Sequence, residues 1–152
     1  MSSNSSTKQF DISIVGGGMV GAAIALALSQ AGLQVALVEK QAPPEFTPDS
    51  APDLRVSSIN LASEAWLTQL GAWQALAQMR LCPYQRLQAF EQPHSIVSFN
   101  AADIKRSHLG HIVENNLLQL ALWQQFGANL TLFCPSSVTA LEQNADSAVL
   151  TL

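Results

Sequence analysis

An α/β fold is what this sequence predicts, and three observations predict it. A short β-branched strand, a glycine-rich turn and a small-residue helix follow one another within residues 10–31, and a second strand ends on an acid at Glu39. Together they form a Rossmann-like βαβ unit of nucleotide-binding type. Further along, the pattern changes from alternating strand and helix to paired short strands, the beginning of an antiparallel sheet. The 152 residues suit one domain with a real core.

Phe10–Val15 alternates and is rich in isoleucine and valine, so it reads as a strand. Gly16, Gly18 and Gly21 follow with the spacing of the dinucleotide turn. Gly16 permits the tight turn, Gly18 lets backbone N–H groups approach a pyrophosphate, and Gly21 lets the helix lie close on the strands. Met19–Ala31 is alanine- and leucine-rich and apolar nearly all round, so burial is expected, with Gly32 as its C-terminal cap. Leu33–Val38 is the second strand. At its end Glu39 can accept hydrogen bonds from ribose hydroxyls and would repel a 2′-phosphate. The unpaired N–H groups at the helix start favour an anion. The alternative is a ligand-free βαβ joint whose Glu39 faces solvent.

Residues 41–53 hold four prolines and three acids and form a surface loop, long enough to suggest a function or mobility. The run from Arg55 to Trp73 reads as a helix capped near Ser58 or Asn60, with Leu61, Ala65, Trp66 and Leu70 inward. Gly71 interrupts it, and Ala72–Met79 forms a second helix. Trp66 and Trp73 read as core or helix-packing residues. Residues 85–99 form two strands of a hairpin turning near Pro93 and His94. The next stretch, from His111 to Phe126, starts as a strand end and continues as a helix with Leu118, Leu122 and Phe126 on one face, closed by Gly127. Three strands follow, in residues 130–134, 138–143 and 148–152. The polar segment of residues 1–9 reads as a disordered tail, and no internal repeat is visible.

Composition narrows the function. The chain is 48% hydrophobic, 12% charged and carries a net charge of −4, with seven scattered basic residues, which argues against a nucleic-acid surface. Cys82 and Cys134 show no paired spacing and read as buried thiols of a reducing cytoplasm. His94, His108 and His111 lack zinc-site spacing with any cysteine and read as ordinary surface or loop histidines, so no metal is expected. Residues 12–38 are uncharged, but Asp11 spoils a secretory n-region and the glycines weaken a membrane helix.

The stretches FDISIVGGGMVGAAIALALSQAGLQVALVEK, PDLRVSSINLASEAWLTQLGAW and GHIVENNLLQLALW together resemble the N-terminal part of the flavin-dependent aromatic-ring hydroxylases. The likeness covers the chain from about Phe10. It is narrowest to the ubiquinone-biosynthesis branch that hydroxylates the demethoxyubiquinol ring, on PDLRVSSIN and LGAWQALAQMRLCPYQRLQAFE. The resemblance implies FAD as cofactor, NAD(P)H as reductant, O₂ as co-substrate, and monooxygenation of a polyprenylated aromatic substrate. It implies that Gly16, Gly18 and Gly21 form the FAD pyrophosphate turn and that Glu39 holds the adenosine ribose. Arg55 stands where relatives place a cofactor-contacting arginine, a cation suited to a pyrophosphate. Asn115 stands where many relatives carry Arg or Gln near the ribityl chain.

On this likeness residues 10–80 belong to the FAD-binding part, 81–110 begin the substrate layer, and 111–152 return to the FAD-binding domain. The family's later Ala-Asp-Gly and Gly-Asp motifs are not in these residues. The expectation is therefore the truncated N-terminal portion of a longer enzyme, inactive by itself, with no catalytic residue identifiable. A lipid-tailed ring implies a cytoplasmic protein at the inner-membrane surface or in a biosynthetic complex. Two readings stand beside this one. The first is another aromatic-ring flavin hydroxylase or an NAD-dependent oxidoreductase built on the same βαβ unit. The second is a non-catalytic nucleotide-binding domain.

Overall fold

The computed structural model describes residues 7–92 and 95–152. The elements run β1 (Ile12–Val15), α1 (Met19–Gln30), β2 (Val35–Val38), β3 (Val56–Asn60), α2 (Leu61–Gln69) and α3 (Ala72–Met79). They continue as β4 (Cys82–Tyr84), β5 (Arg86–Gln92), β6 (Ser95–Asn100), β7 (Gly110–Glu114), α4 (Asn115–Trp123), β8 (Leu130–Phe133), β9 (Ala140–Gln143) and β10 (Ala148–Thr151). Two compact units result, one from Met1–Ala42 with Phe126–Leu152, the other from Pro43–Gln125. The tail predicted for residues 1–9 falls largely outside the described residues, as does the predicted turn at Pro93 and His94.

In the first unit β1, β2 and β8 form a parallel sheet in the order β1-β2-β8. β2 is central and every one of its residues is buried, as a strand covered on both faces requires. Ile14 pairs with Leu37, and Leu37 with Leu132, so the apolar registers align across the sheet. Ala25, Val35, Leu37 and Leu130 make the core, with Ile14, Leu28, Leu33 and Phe126 packed around it. α1 buries Ala22, Ala23, Ala25, Leu26 and Ser29, and the Ser29 hydroxyl donates to the Leu26 carbonyl. Val20 and Ile24 face outward, so the expected burial on all sides holds for only one face. Gly32, at φ +95°, donates to the Ser29 carbonyl while Leu33 donates to that of Leu28, which ends the helix as predicted. β9 and β10 form an antiparallel hairpin.

The second unit holds an antiparallel sheet of order β3-β7-β4 and the separate hairpin β5–β6. Residues 56–60 are a strand that was not predicted. The helix after it starts at Leu61, where the Asn60 side chain, one of the two predicted caps, accepts from Ser63 N at 2.9 Å. Its buried positions are Leu67 and Leu70, whereas Ala65 and Trp66 are exposed. The inner stripe is therefore displaced from the one predicted. α3 buries Ala72 and Leu76 and packs on α4, which buries Leu117, Leu118, Ala121 and Leu122. The β5–β6 hairpin appears where predicted, with an irregular register at Phe90 and Gln92, and leaves Leu87, Phe90, Ile96, Val97 and Phe99 exposed.

Candidate functional site

The glycine turn is built by the first unit alone. Gly16 N donates to the Val38 carbonyl at 2.8 Å, which ties the turn to the end of β2. Its φ of +101° is a left-handed conformation that a side chain would strain. Gly21 meets the turn from the other side, since a Cβ there would lie 1.9 Å from the Gly16 carbonyl oxygen. Helix and turn can approach this closely only without that carbon.

Gly18 differs from both. Its backbone, at φ −63° and ψ 179°, suits any residue, and a Cβ on it would meet no atom within 4 Å. Among the described residues nothing requires a glycine there. The residue instead keeps the space above the start of α1 clear, and as N-cap it supplies no side-chain oxygen to the helix's first N–H groups. Donors aimed at a clear space, at the positive end of a helix, suit a pyrophosphate.

Glu39 completes the arrangement. Its backbone is fixed on both sides, because Glu39 N donates to the Phe133 carbonyl and Ser136 N donates to that of Glu39, each at 2.9 Å. One carboxylate oxygen accepts from Gly17 N at 2.5 Å, the other from Gln41 N at 3.0 Å. Burial alone would raise its pKa. The backbone N–H groups of Gln41, Gly17 and Lys40 outweigh burial and hold it below the ordinary carboxyl value. The ionised acid thus sits beside the turn, and with three backbone N–H groups on its two oxygens it keeps one lone pair for a hydroxyl donor.

Arg55 and Asn115 belong to the second unit, where the structure brings them together. Asn115 N donates to the Arg55 carbonyl at 3.0 Å, next to the Val56–Glu114 register pair. Asn115 Oδ1 accepts from Ser57 Oγ at 2.7 Å, which leaves its amide N–H₂ to donate elsewhere. Arg55 is exposed, and among the described residues its guanidinium makes no ion pair.

Sequence reasoning missed the residues that hold this neighbourhood. Glu114 is buried and pairs with Arg80 at 2.8 Å, while its second oxygen accepts from Asp53 N at 2.7 Å. Arg80 also donates to the Ser50 carbonyl at 2.8 Å and lies over the Phe46 ring. These contacts fasten the proline-rich loop. The available signal was a lone acid inside the apolar run HIVENNLL of a weakly charged chain.

The side chains set aside at the sequence level also need correction. His111 is 8% exposed on β7, neither a surface nor a loop residue, because the central strand of its sheet carries it inward. Cys82 is exposed and Cys134 half-buried, both as free thiols, so the expected burial of the pair fails. Cys82 lies on the edge strand β4. Trp66 is 42% exposed, while Trp73 does pack, edge to face, on His111. Among the described residues no helix is long and apolar enough to cross a membrane.

Residues 11–51 match the family "FAD dependent oxidoreductase". The 3-demethoxyubiquinol 3-hydroxylase of Escherichia coli is 46% identical over 138 residues, covering 90% of this chain and 35% of that protein. The mitochondrial ubiquinone biosynthesis monooxygenase COQ6 of Danio rerio is 36% identical over 132 residues, covering 82% of this chain and 27% of that one. In fold, p-nitrophenol 4-monooxygenase of Pseudomonas putida superposes with a TM-score of 0.68 at 17% identity, over 91% of this chain and 35% of that one. The chain spans about a third of the length of these relatives. In sequence the chain is thus similar to a demethoxyubiquinol hydroxylase and to a ubiquinone-biosynthesis monooxygenase, and it shares the fold of p-nitrophenol 4-monooxygenase.

Proposed function

We propose that this chain is the FAD-binding portion of a flavin-dependent monooxygenase that hydroxylates the ring of a polyprenylated benzoquinol in ubiquinone biosynthesis. The observation that carries the reading is the clear space at Gly18, over the start of α1 and beside the ionised Glu39. Gly16 and Gly21 shape the turn, the first N–H groups of α1 take the pyrophosphate, and Glu39 accepts from the adenosine ribose. Arg55 supplies a cation to the cofactor and Asn115 an amide donor. FAD, when bound, supplies the redox and oxygen-transfer chemistry, with NAD(P)H as reductant and O₂ as co-substrate. The exposed apolar side chains of β5 and β6 support a role for this hairpin at the beginning of the substrate layer. A lipid-tailed substrate favours work at the surface of the inner membrane or within a biosynthetic complex.

The test is genetic and chemical. The gene carrying this chain should restore ubiquinone to a bacterium lacking its 3-demethoxyubiquinol 3-hydroxylase, with quinones measured by chromatography. If the protein accumulates while the cells retain only unhydroxylated precursor, the assignment to this ring is wrong.

A further inference from the structure

Three side chains of the second unit converge on one another. Glu64 projects from α2, His111 lies on β7, and His108 belongs to the loop leading into β7. Glu64 Oε2 is 2.9 Å from His108 Nε2 and 3.2 Å from His111 Nδ1. One potential ligand atom from each residue lies within 4.8 Å of the other two.

The surroundings prepare these atoms. Ser107 Oγ stands 2.9 Å from His108 Nδ1. With Nδ1–H donating to that hydroxyl, Nε2 can exchange the proton it shares with Glu64 for a metal ion. His111 is 8% exposed, with its ring packed on Trp73 at 5.1 Å. Its Nδ1 is buried without a hydrogen-bond partner among the described residues, because the approach of Glu64 does not satisfy it in direction. Such an orphaned nitrogen is unusual in a folded protein.

We propose that Glu64, His108 and His111 bind a divalent transition-metal ion of the zinc class, with water in the fourth position. Two imidazoles and a carboxylate are a donor set that zinc takes, at bonds of about 2.0–2.2 Å. Tetrahedral ligands at that distance stand roughly 3.3 Å apart, close to the 2.9 and 3.2 Å separations here. Calcium and magnesium prefer oxygen donors, so the two nitrogens select against them. The side chains of Glu64 and His108 are each 21% exposed, which gives the ion a way in. On binding, the metal takes the place of the proton shared by His108 and Glu64 and gives His111 Nδ1 its missing partner. It also fastens α2 to β7 inside this unit.

The full chain, stripped by a chelator and then freed of it, is titrated with Zn²⁺ by calorimetry and with Co²⁺ by visible absorption. One equivalent should bind, and Co²⁺ should give the intense bands of a four-coordinate site. Cys82 and Cys134 are competing ligands, so Cys82→Ser with Cys134→Ser must leave both readings unchanged. Glu64→Gln and His108→Ala should each weaken Zn²⁺ more than about a hundredfold, beyond the 10–100-fold typical of outer-shell changes, with unchanged far-ultraviolet circular dichroism. His108 lies in a loop, so its variant keeps the test clear of misfolding. Zinc that fails to bind, that survives both substitutions, or that disappears with the cysteines overturns the site and leaves a hydrogen-bonded Glu–His cluster.

Discussion

A Cβ on Gly21 would lie 1.9 Å from a backbone oxygen, whereas one on Gly18 would touch nothing. The two glycines should therefore respond differently to substitution. Gly21→Ala forces α1 and the turn apart and should destabilise the fold by about 1–3 kcal/mol, as overpacking does. Gly18→Ser places an oxygen at the N-cap, so stability should hold or rise slightly while FAD binding falls. Urea unfolding beside flavin titration separates these outcomes, and equal stability loss in both variants would refute the distinction. Glu39 gives a second test, through pH. Its pKa in the folded chain is below the ordinary 4.5 that the unfolded chain retains. The folded state thus binds the proton less tightly than the unfolded one. The stabilisation is fully present above the ordinary value and is lost as pH falls through the lowered one. Glu39→Gln should therefore be less stable than the wild type at about pH 7, with the gap closing as the pH falls through the lowered value. A gap independent of pH would show that the ionised form is not the stabilising one. Gly16, Gly21 and Glu39 were legible because each has a local reason, in conformation, crowding or charge, whereas Gly18 was read from the motif spacing alone. The Glu114–Arg80 pair was not legible, since 34 residues separate the partners and only the fold joins them.

At the scale of elements, legibility followed the strength of the local pattern. β1, α1 and β2 are short, strongly apolar and punctuated by glycine, so their bounds were read to within two residues. β3 was missed because VSSIN presents two serines and a capping asparagine directly before good helix formers. β4 was missed because a three-residue strand containing Pro83 has almost no local signature. It exists as an edge strand, where proline is tolerated. The proline-rich loop was recognised, but not its fastening. That fastening is testable with Glu114→Ala, which strips Arg80 of its partner and leaves Asp53 N without its acceptor. Breaking a buried pair is strongly destabilising, but Arg80 is 27% exposed and solvent screens part of the loss. We expect a cost of about 2–3 kcal/mol in urea unfolding and faster proteolysis within residues 43–53. A cleavage rate equal to wild type would mean that other contacts hold the loop.

At the scale of the whole molecule, local pattern loses its grip. The third strand of the parallel sheet, β8, comes from residues 130–133 and pairs with β2 some ninety positions earlier. No periodicity in LTLF names its neighbour, because a parallel partner is selected by the sheet that receives it. The first unit is consequently assembled from both ends of the chain, and the glycine turn depends on residues that sequence order keeps apart. Glu39 shows this dependence directly, with its backbone held by Phe133 and Ser136. A ligand that binds only the folded turn must therefore stabilise the assembled unit, not a local segment. At a hundredfold excess over its dissociation constant, FAD should add about 2.7 kcal/mol. For a chain of this size that corresponds to a rise of roughly 5–10 °C in Tm, read by differential scanning fluorimetry. Gly18→Leu should melt like the wild type without ligand and lose the whole shift with FAD. NAD⁺ at the same concentration should give a smaller shift in the wild type. An equal shift with NAD⁺ would make the turn a general dinucleotide site, and a shift that survives Gly18→Leu would place FAD elsewhere on the chain.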